Sequence, residues 1–155
     1  MIDIHPASIQ DPWRRSFTPV IDDYEKLREI LKKSRTVAVV GISPDENRPS
    51  HFVSETVKRY GFKVYLINPQ YEGEEILGER VLGSLKDVPE KIDILDVFRR
   101  PEAVASLAEE AREVGFETFW LQPGTENEVV IEALDREGRN VVPGICIKTC
   151  CQLLL

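Results

Sequence analysis

The sequence contains few of the residues that most catalytic and metal centres use. Its 155 residues include two histidines, three cysteines and one methionine. The histidines, His5 and His51, stand in no HExxH spacing, and no GxSxG motif is present, which argues against a zinc protease centre and a serine hydrolase elbow. We therefore expect no metal site and no catalytic activity from this chain on its own.

The cysteines are clustered near the C-terminus as Cys146, Cys150 and Cys151. An odd, clustered set does not build a disulfide framework, and this is typical of a reducing compartment. Three soft ligands without a fourth nearby also leave a tetrahedral zinc site incomplete. The cysteines are expected to be buried structural thiols, with a redox or metal role as the alternative.

Long apolar runs and an excess of positive charge are absent too. No apolar stretch approaches the roughly 18 residues that a membrane span requires, and the N-terminus lacks the basic and apolar regions of a signal peptide. With 20 basic and 27 acidic residues the formal charge is −7, which repels phosphate backbones at long range. We expect a cytoplasmic protein with no membrane and no nucleic-acid partner, in which any anionic ligand needs a locally basic pocket.

What the sequence does contain is an alternation of short apolar runs with helical patterns. The runs are continuously apolar, which indicates strands covered on both faces of a parallel sheet. They span residues 36–41, 63–68, 92–98, 117–122 and 140–144. Because their spacing is close to the roughly 30 residues of a βαβ unit, the sequence predicts a three-layer, Rossmann-like, doubly wound α/β fold with strand order 3-2-1-4-5.

Helix-opening residues separate these runs. Ser50 and Pro101 are expected to begin helices after the first and third strands, and Thr125 or Asn127 a helix after the fourth. An amphipathic helix is expected before the first strand. The predicted organisation is an extended N-terminal arm followed by a single domain, at residues 1–21 and 22–155.

Ligands of such sheets bind beyond the carboxyl ends of the strands, so the loops there are the candidate site. Gly41 is the only glycine of the loop after the first strand, which excludes a GxGxxG fingerprint, and no GxxxxGK[ST] motif is present. This loop leads into a helix N-terminus, where an anion is favoured. Ser43 and Ser50 can offer hydroxyls, and Arg48 a cation, to a phosphate; alternatively the loop is an ordinary turn and Ser50 a helix cap.

The ends of the second, third and fourth strands carry side chains of different chemistry. Asn68 and Pro69 follow the second strand where a dinucleotide site usually carries an acid, which weakens the case for NAD. They either present an amide to an adenine or form a proline turn. Arg99 and Arg100 oppose the dipole of the helix that follows, so they either pair with acidic neighbours or face an anionic ligand. Trp120, at the end of the fourth strand, is more typical of a core aromatic than of a stacking platform.

Four segments together carry a family resemblance: VAVVGISPDENRPSHFVSETVKRYGFKVYLINP, LGERVLGSLKDVPEKIDILDVFRRPEAV, FWLQPGTENEVVIEAL and GICIK. Over residues 34–148 the chain resembles the standalone CoA-binding protein family, whose fold is that of the CoA-binding domain of succinyl-CoA synthetase α subunits. The resemblance implies a CoA or acyl-CoA ligand at the strand ends. The residues it implies are Gly41, Ile42, Ser43, Arg48 and Ser50 near the phosphates, Asn68, Pro69 and Tyr71 near the adenosine, Phe98, Arg99 and Arg100 after the third strand, and Trp120 and Gln122 after the fourth.

Three functions follow from these observations. Non-catalytic binding of CoA or an acyl-CoA is favoured. The alternatives are an NAD(H)-binding redox sensor that uses the cysteines, and a CoA-binding subunit of an acyl-CoA ligase or transferase that another chain completes. The apolar tail Leu153, Leu154 and Leu155 indicates either docking on the body of the protein or contact with a second copy in a homodimer.

Overall fold

A computed structural model describes residues 23–155, and the predicted arm at residues 1–21 lies outside the described residues. The helices and strands follow one another as α1 Tyr24–Lys33, β1 Thr36–Val40, α2 Pro49–Arg59, β2 Lys63–Ile67, β3 Glu75–Ile76, β4 Glu79–Arg80, β5 Ile94–Val97, α3 Pro101–Val114, β6 Thr118–Leu121, α4 Glu128–Arg136, β7 Asn140–Val142 and α5 Ile147–Leu154. Within this part of the chain, no helix has the length and apolar character that crossing a membrane requires.

Five parallel strands form the central sheet in the order β2-β1-β5-β6-β7, while β3 and β4 pair as a small antiparallel hairpin. One face of the sheet is covered by α1, α2 and α5, and the other by α3 and α4. Each face has its own apolar core, which explains why the strands are continuously apolar. The predicted doubly wound α/β fold is confirmed.

The predicted strand order is wrong, however, because the five strands, numbered along the chain, lie in the order 2-1-3-4-5. The third strand, β5, pairs with β1 and is buried at all four positions, whereas β2 begins with the exposed Lys63 and forms an edge. The Asp93 carboxylate fastens β5 to β1 by accepting bonds from the N–H groups of Arg35 at 2.7 Å and Thr36 at 3.1 Å. The strand order therefore reverses between β1 and β5, and a ligand crevice is expected there.

Most helix starts follow the sequence prediction. Pro101 begins α3, and the Asn127 side chain caps α4 by accepting a bond from Val130 N at 3.2 Å. The exception is α2, whose cap position is Arg48 rather than Ser50. Pro49 stands at the first helical position, where a missing N–H does no harm, and this places Ser50 inside the first turn.

The C-terminal residues form α5, a helix that the sequence analysis did not predict. It packs against α1 and α2 and buries Ile147, Cys150 and Cys151. Arg28 Nε on α1 donates a hydrogen bond to the Leu154 carbonyl at 3.2 Å. Of the apolar tail, Leu154 packs against the core of its own chain, whereas Leu153 and Leu155 are exposed. The homodimer stays a prediction.

Gly41 allows the ends of β1 and β5 to approach closely. Its φ of +102° is a conformation that other residues rarely adopt, and a Cβ at this position would overlap the Phe98 carbonyl, with the carbon only 2.9 Å away. On either side, Gly41 N donates to Ile67 O at 2.9 Å and Phe98 N donates to Val40 O at 2.8 Å. Both the backbone conformation and the space therefore require glycine.

We expect Gly41→Ala to lower the free energy of unfolding by about 3 kcal/mol, because it adds a backbone clash to the strain of a positive φ. Gly61→Ala is the matched control, since Gly61 has a φ of +99° with open space around it. Strain alone should lower the free energy of unfolding by about 1 kcal/mol in that variant. Urea denaturation measures both variants, and equal losses would contradict the close approach of the two strands.

Candidate functional site

A cleft of about 580 Å³ lies at the carboxyl edge of the sheet. Its walls come from the loops after β1, β5, β6 and β7 and from the first turns of α2 and α3. The volume is typical of small-molecule sites, which measure about 300–1,000 Å³. Most of the predicted site residues line this cleft: Gly41, Ser43, Arg48, Ser50, Phe98, Arg99, Arg100 and Gln122.

Two predicted site residues lie in the core instead. Ile42 and Trp120 are fully buried, and the Trp120 indole N–H donates a hydrogen bond to the Ile145 carbonyl at 2.7 Å. Trp120 is within β6 and paired with β5 and β7, so neighbouring elements cover its ring. Gln122 directly follows β6 and lines the cleft together with Pro123, Gly124 and Thr125.

Of the predicted adenosine residues, only Pro69 lines a second, smaller cavity. Asn68 uses its amide to hold the turn, donating to Ile42 O at 2.8 Å and accepting from Gln70 N at 3.0 Å. Pro69 lines a cavity of about 260 Å³, and Arg99 lines both this cavity and the main cleft. Tyr71 is half-buried against the core. The proline-turn interpretation of this segment is therefore the one that the structure supports.

Some cleft residues were missed by the sequence analysis, including Phe52, Thr125 and Cys146. Cys146 is half-buried and faces the cleft, whereas Cys150 and Cys151 are buried as predicted. Burial raises the pKa of both buried thiols, to about 11 and about 12. The sequence position of Cys146, just after the fifth predicted strand, could have identified it as a cleft residue, because ligands bind beyond the carboxyl ends of the strands.

Two helices begin at the cleft with the same dipeptide, Arg-Pro. Arg48 and Arg100 occupy the N-cap positions of α2 and α3, followed by Pro49 and Pro101, and neither arginine caps its helix through its side chain. Serine, threonine, aspartate and asparagine are the usual caps, and a cation at this end opposes the helix dipole. Local stability does not explain either arginine, and both helix starts add positive potential to the cleft.

Arg99 joins these two arginines on the cleft wall without an acidic partner. Within residues 23–155, none of the three forms a salt bridge. Of the seven arginines elsewhere in this part of the chain, Arg28 and Arg80 also form no salt bridge, and five are paired with glutamates, namely Arg35, Arg59, Arg112, Arg136 and Arg139. Arg99 and Arg100 therefore do not pair with acidic neighbours in this part of the chain. Their guanidinium groups are available to bind an anion in the cleft.

A buried carboxyl beneath the cleft orients Gln122. Asp96 is fully buried on β5 and accepts a hydrogen bond from Gln122 Nε2, while Gln122 Oε1 accepts one from Ile147 N at 3.4 Å. The second oxygen, Oδ2, finds no hydrogen-bond partner among the described residues. Burial raises the pKa of Asp96 to about 7, and the Gln122 bond opposes this shift. The amide of Gln122 thereby links β5 to the start of α5.

The sequence matches the CoA binding domain family over residues 35–152, a span that holds the whole central sheet and every loop of the cleft. The chain belongs to the CoA binding domain family. This confirms the family that the four sequence segments indicate, and it places the match on the elements that build the cleft.

The relatives of this CoA binding domain include short proteins and parts of longer enzymes. The uncharacterized protein YneT of Bacillus subtilis strain 168 is 39% identical over 123 residues, which are 79% of this chain and 90% of YneT. A solved structure from Thermus thermophilus is 34% identical with a TM-score of 0.82, covering 86% of this chain and 100% of that one. ADP-forming acetate–CoA ligase I of Archaeoglobus fulgidus is 25% identical over 129 residues, which are 77% of this chain but only 18% of the ligase.

Asp96→Asn is expected to change how stability depends on pH. Because burial raises the pKa from 3.8 to about 7, Asp96 is protonated in the fold and ionised in the unfolded chain between these values, so wild-type stability falls as pH rises from about 4 to about 7. The difference in unfolding free energy between the variant and the wild type should therefore change by up to about 4 kcal/mol in favour of the variant as the pH rises from 4 to 8. Urea denaturation across this range measures the difference, and a constant difference would show that Asp96 does not titrate as described.

Proposed function

We propose that this CoA binding domain binds CoA or an acyl-CoA in the cleft without catalysis of its own. The observation that supports the proposal is the pair of uncapped Arg-Pro helix starts, which with Arg99 bring three arginines to one cleft of an acidic chain. CoA carries a pyrophosphate and a 3′-phosphate. The planar guanidinium fork matches phosphate oxygens in two-bond contacts, so several arginines in one cleft suit this ligand.

In this proposal the phosphates lie over the gap between β1 and β5. Gly41 lines the cleft at this gap, and the α2 N-terminus begins nearby. The adenosine extends toward β2 and the second cavity, where Pro69 lies and which Arg99 shares with the cleft. The pantetheine arm then runs the other way, past Gln122 and Thr125 toward the end of β7.

Two further observations favour CoA over a nicotinamide dinucleotide. The chain matches two ADP-forming acetate–CoA ligases, whose names include CoA. The matched part is 18% of one ligase and 13% of the other. At the end of β2, where an NAD site usually has an acidic residue that binds a ribose hydroxyl, this chain has Asn68. The Asn68 side-chain amide forms its hydrogen bonds within the turn, with Ile42 O and Gln70 N. This CoA binding domain therefore lacks the ribose contact that NAD sites usually have.

Calorimetric titration tests the ligand. CoA should bind saturably at one site per chain and at least about tenfold more tightly than NADH, since a lost charge-assisted contact costs about 1.5–3 kcal/mol. Folded protein is confirmed in parallel by circular dichroism. No heat of binding at about 1 mM CoA, or tighter binding of NADH, would overturn the proposal.

Replacing the capping arginines by serine should move stability and affinity in opposite directions. In Arg48→Ser and Arg100→Ser the new hydroxyl can cap the helix, so each variant is expected to gain about 1 kcal/mol of unfolding free energy. Each should also bind CoA about tenfold to a hundredfold more weakly, because an arginine–phosphate contact is lost.

Arg59→Ser is the matched control for these variants, since Arg59 lies at the other end of α2 and its side chain is 70% exposed. Its CoA affinity should equal that of the wild type. Thermal denaturation and calorimetry measure the two quantities separately. Stabilised serine variants that bind CoA as tightly as the wild type would show that the arginines do not contact the ligand.

A further inference from the structure

The cleft ends at a thiol. Cys146 follows β7, stands at the N-cap of α5 and lines the same cavity as Arg48, Arg99 and Arg100. CoA also ends in a thiol, at the opposite end of the molecule from its phosphates. We propose that Cys146 is a modification site that exchanges with the disulfide form of CoA, so that the cleft holds CoA covalently as a mixed disulfide. This inference rests on the proposed function, because the arginines must hold the nucleotide end.

The distance between the two ends of the cleft suits this bond. The strands β5, β6 and β7 follow one another across the sheet from the gap between β1 and β5. The centre of this gap is half a strand spacing from β5 and therefore two and a half spacings from β7. At about 4.8 Å per spacing this distance is about 12 Å. The pantetheine arm has about twelve bonds between its phosphate oxygen and its sulfur, and extends to about 14 Å if three bonds advance as far as one extended residue. The sulfur of a CoA anchored at the arginines therefore reaches the end of β7.

The three cysteines differ in their access to that sulfur. Cys150 and Cys151 are buried under α5, and burial raises the pKa of each, so their thiolates are scarce. Cys146 is half-buried and open to the cleft. Because the thiolate is the attacking form and access is required, Cys146 is the thiol that reacts.

The exchange needs no separate oxidant. The Cys146 thiolate attacks one sulfur of a CoA disulfide and forms the bond between Cys146 and that CoA, while the original sulfur–sulfur bond breaks. The second CoA leaves as a thiolate and takes up a proton from water. One disulfide is consumed and one is formed, so electrons balance. Cys150 lies one helical turn away but is buried, so we expect the mixed disulfide to persist rather than resolve into an internal disulfide.

Intact-protein mass spectrometry after incubation of the reduced full chain with CoA disulfide tests the inference. One CoA per chain is expected, and peptide mapping should place it on Cys146. Pantethine, the disulfide of pantetheine, offers the same sulfur without the nucleotide and should react at least about tenfold more slowly at equal concentration, because the arginine contacts are worth about 1.5–3 kcal/mol each. Arg48→Ser combined with Arg100→Ser should slow the reaction with CoA disulfide but not the reaction with pantethine.

Cys146→Ser separates this inference from the proposed function. The variant should lose the adduct and still bind reduced CoA in calorimetry, because the arginines hold the nucleotide end without a covalent bond. An adduct on Cys150 or Cys151, equal rates with both disulfides, an internal disulfide as the main product, or no adduct at all would overturn the inference. If CoA still binds the Cys146→Ser variant in those cases, the proposed function stands; if CoA does not bind the wild type, the proposed function fails.

Discussion

The arrangement of the cleft depends on the close approach of β1 and β5 at Gly41. The Phe98 carbonyl occupies the space that any side chain at this position would need, so the two strands end side by side. The chain leaves β1 toward α2 on one face of the sheet and leaves β5 toward α3 on the other. Both helix N-termini therefore flank one crevice, and their Arg-Pro starts line the same cleft. A bulkier residue at this point would separate the strand ends and with them the cationic groups.

The charge distribution suits a small anion better than a polyanion. At long range the protein presents a net charge of −7, whereas the cleft itself is lined by three arginines that form no salt bridge within residues 23–155. Charges beyond a Debye length of about 10 Å are largely screened from a ligand there. Placing arginine at an N-cap costs about 0.3–1 kcal/mol of local stability, and a bound phosphate reverses this loss by neutralising the charge. The structure of the helix starts is thus more easily explained by a ligand than by folding.

The sequence allowed much of this arrangement to be predicted, but only where the information is local. All five sheet strands follow from continuous apolar runs, because burial on both faces leaves a pattern in the chain itself. Strand order depends on which neighbour a buried strand meets, and the bond from Asp93 to the start of β1 joins residues 58 apart. The charged residue Lys63 at the start of the second apolar run is the feature of the sequence that indicates an edge strand. The family resemblance implied Trp120 and Ile42 as site residues from their motif positions, yet packing places both side chains in the core.

The central claim is that a CoA molecule lies along the carboxyl edge of the sheet, from the β1–β5 gap to the end of β7. Amide chemical-shift mapping by NMR, with CoA added to isotopically labelled protein, tests it most directly. The account predicts shifts concentrated in residues 41–50, 98–101 and 122–125 and at Cys146. Shifts concentrated at the opposite edge of the sheet, around Arg35 and Glu90, or no shifts at saturating CoA, would contradict it.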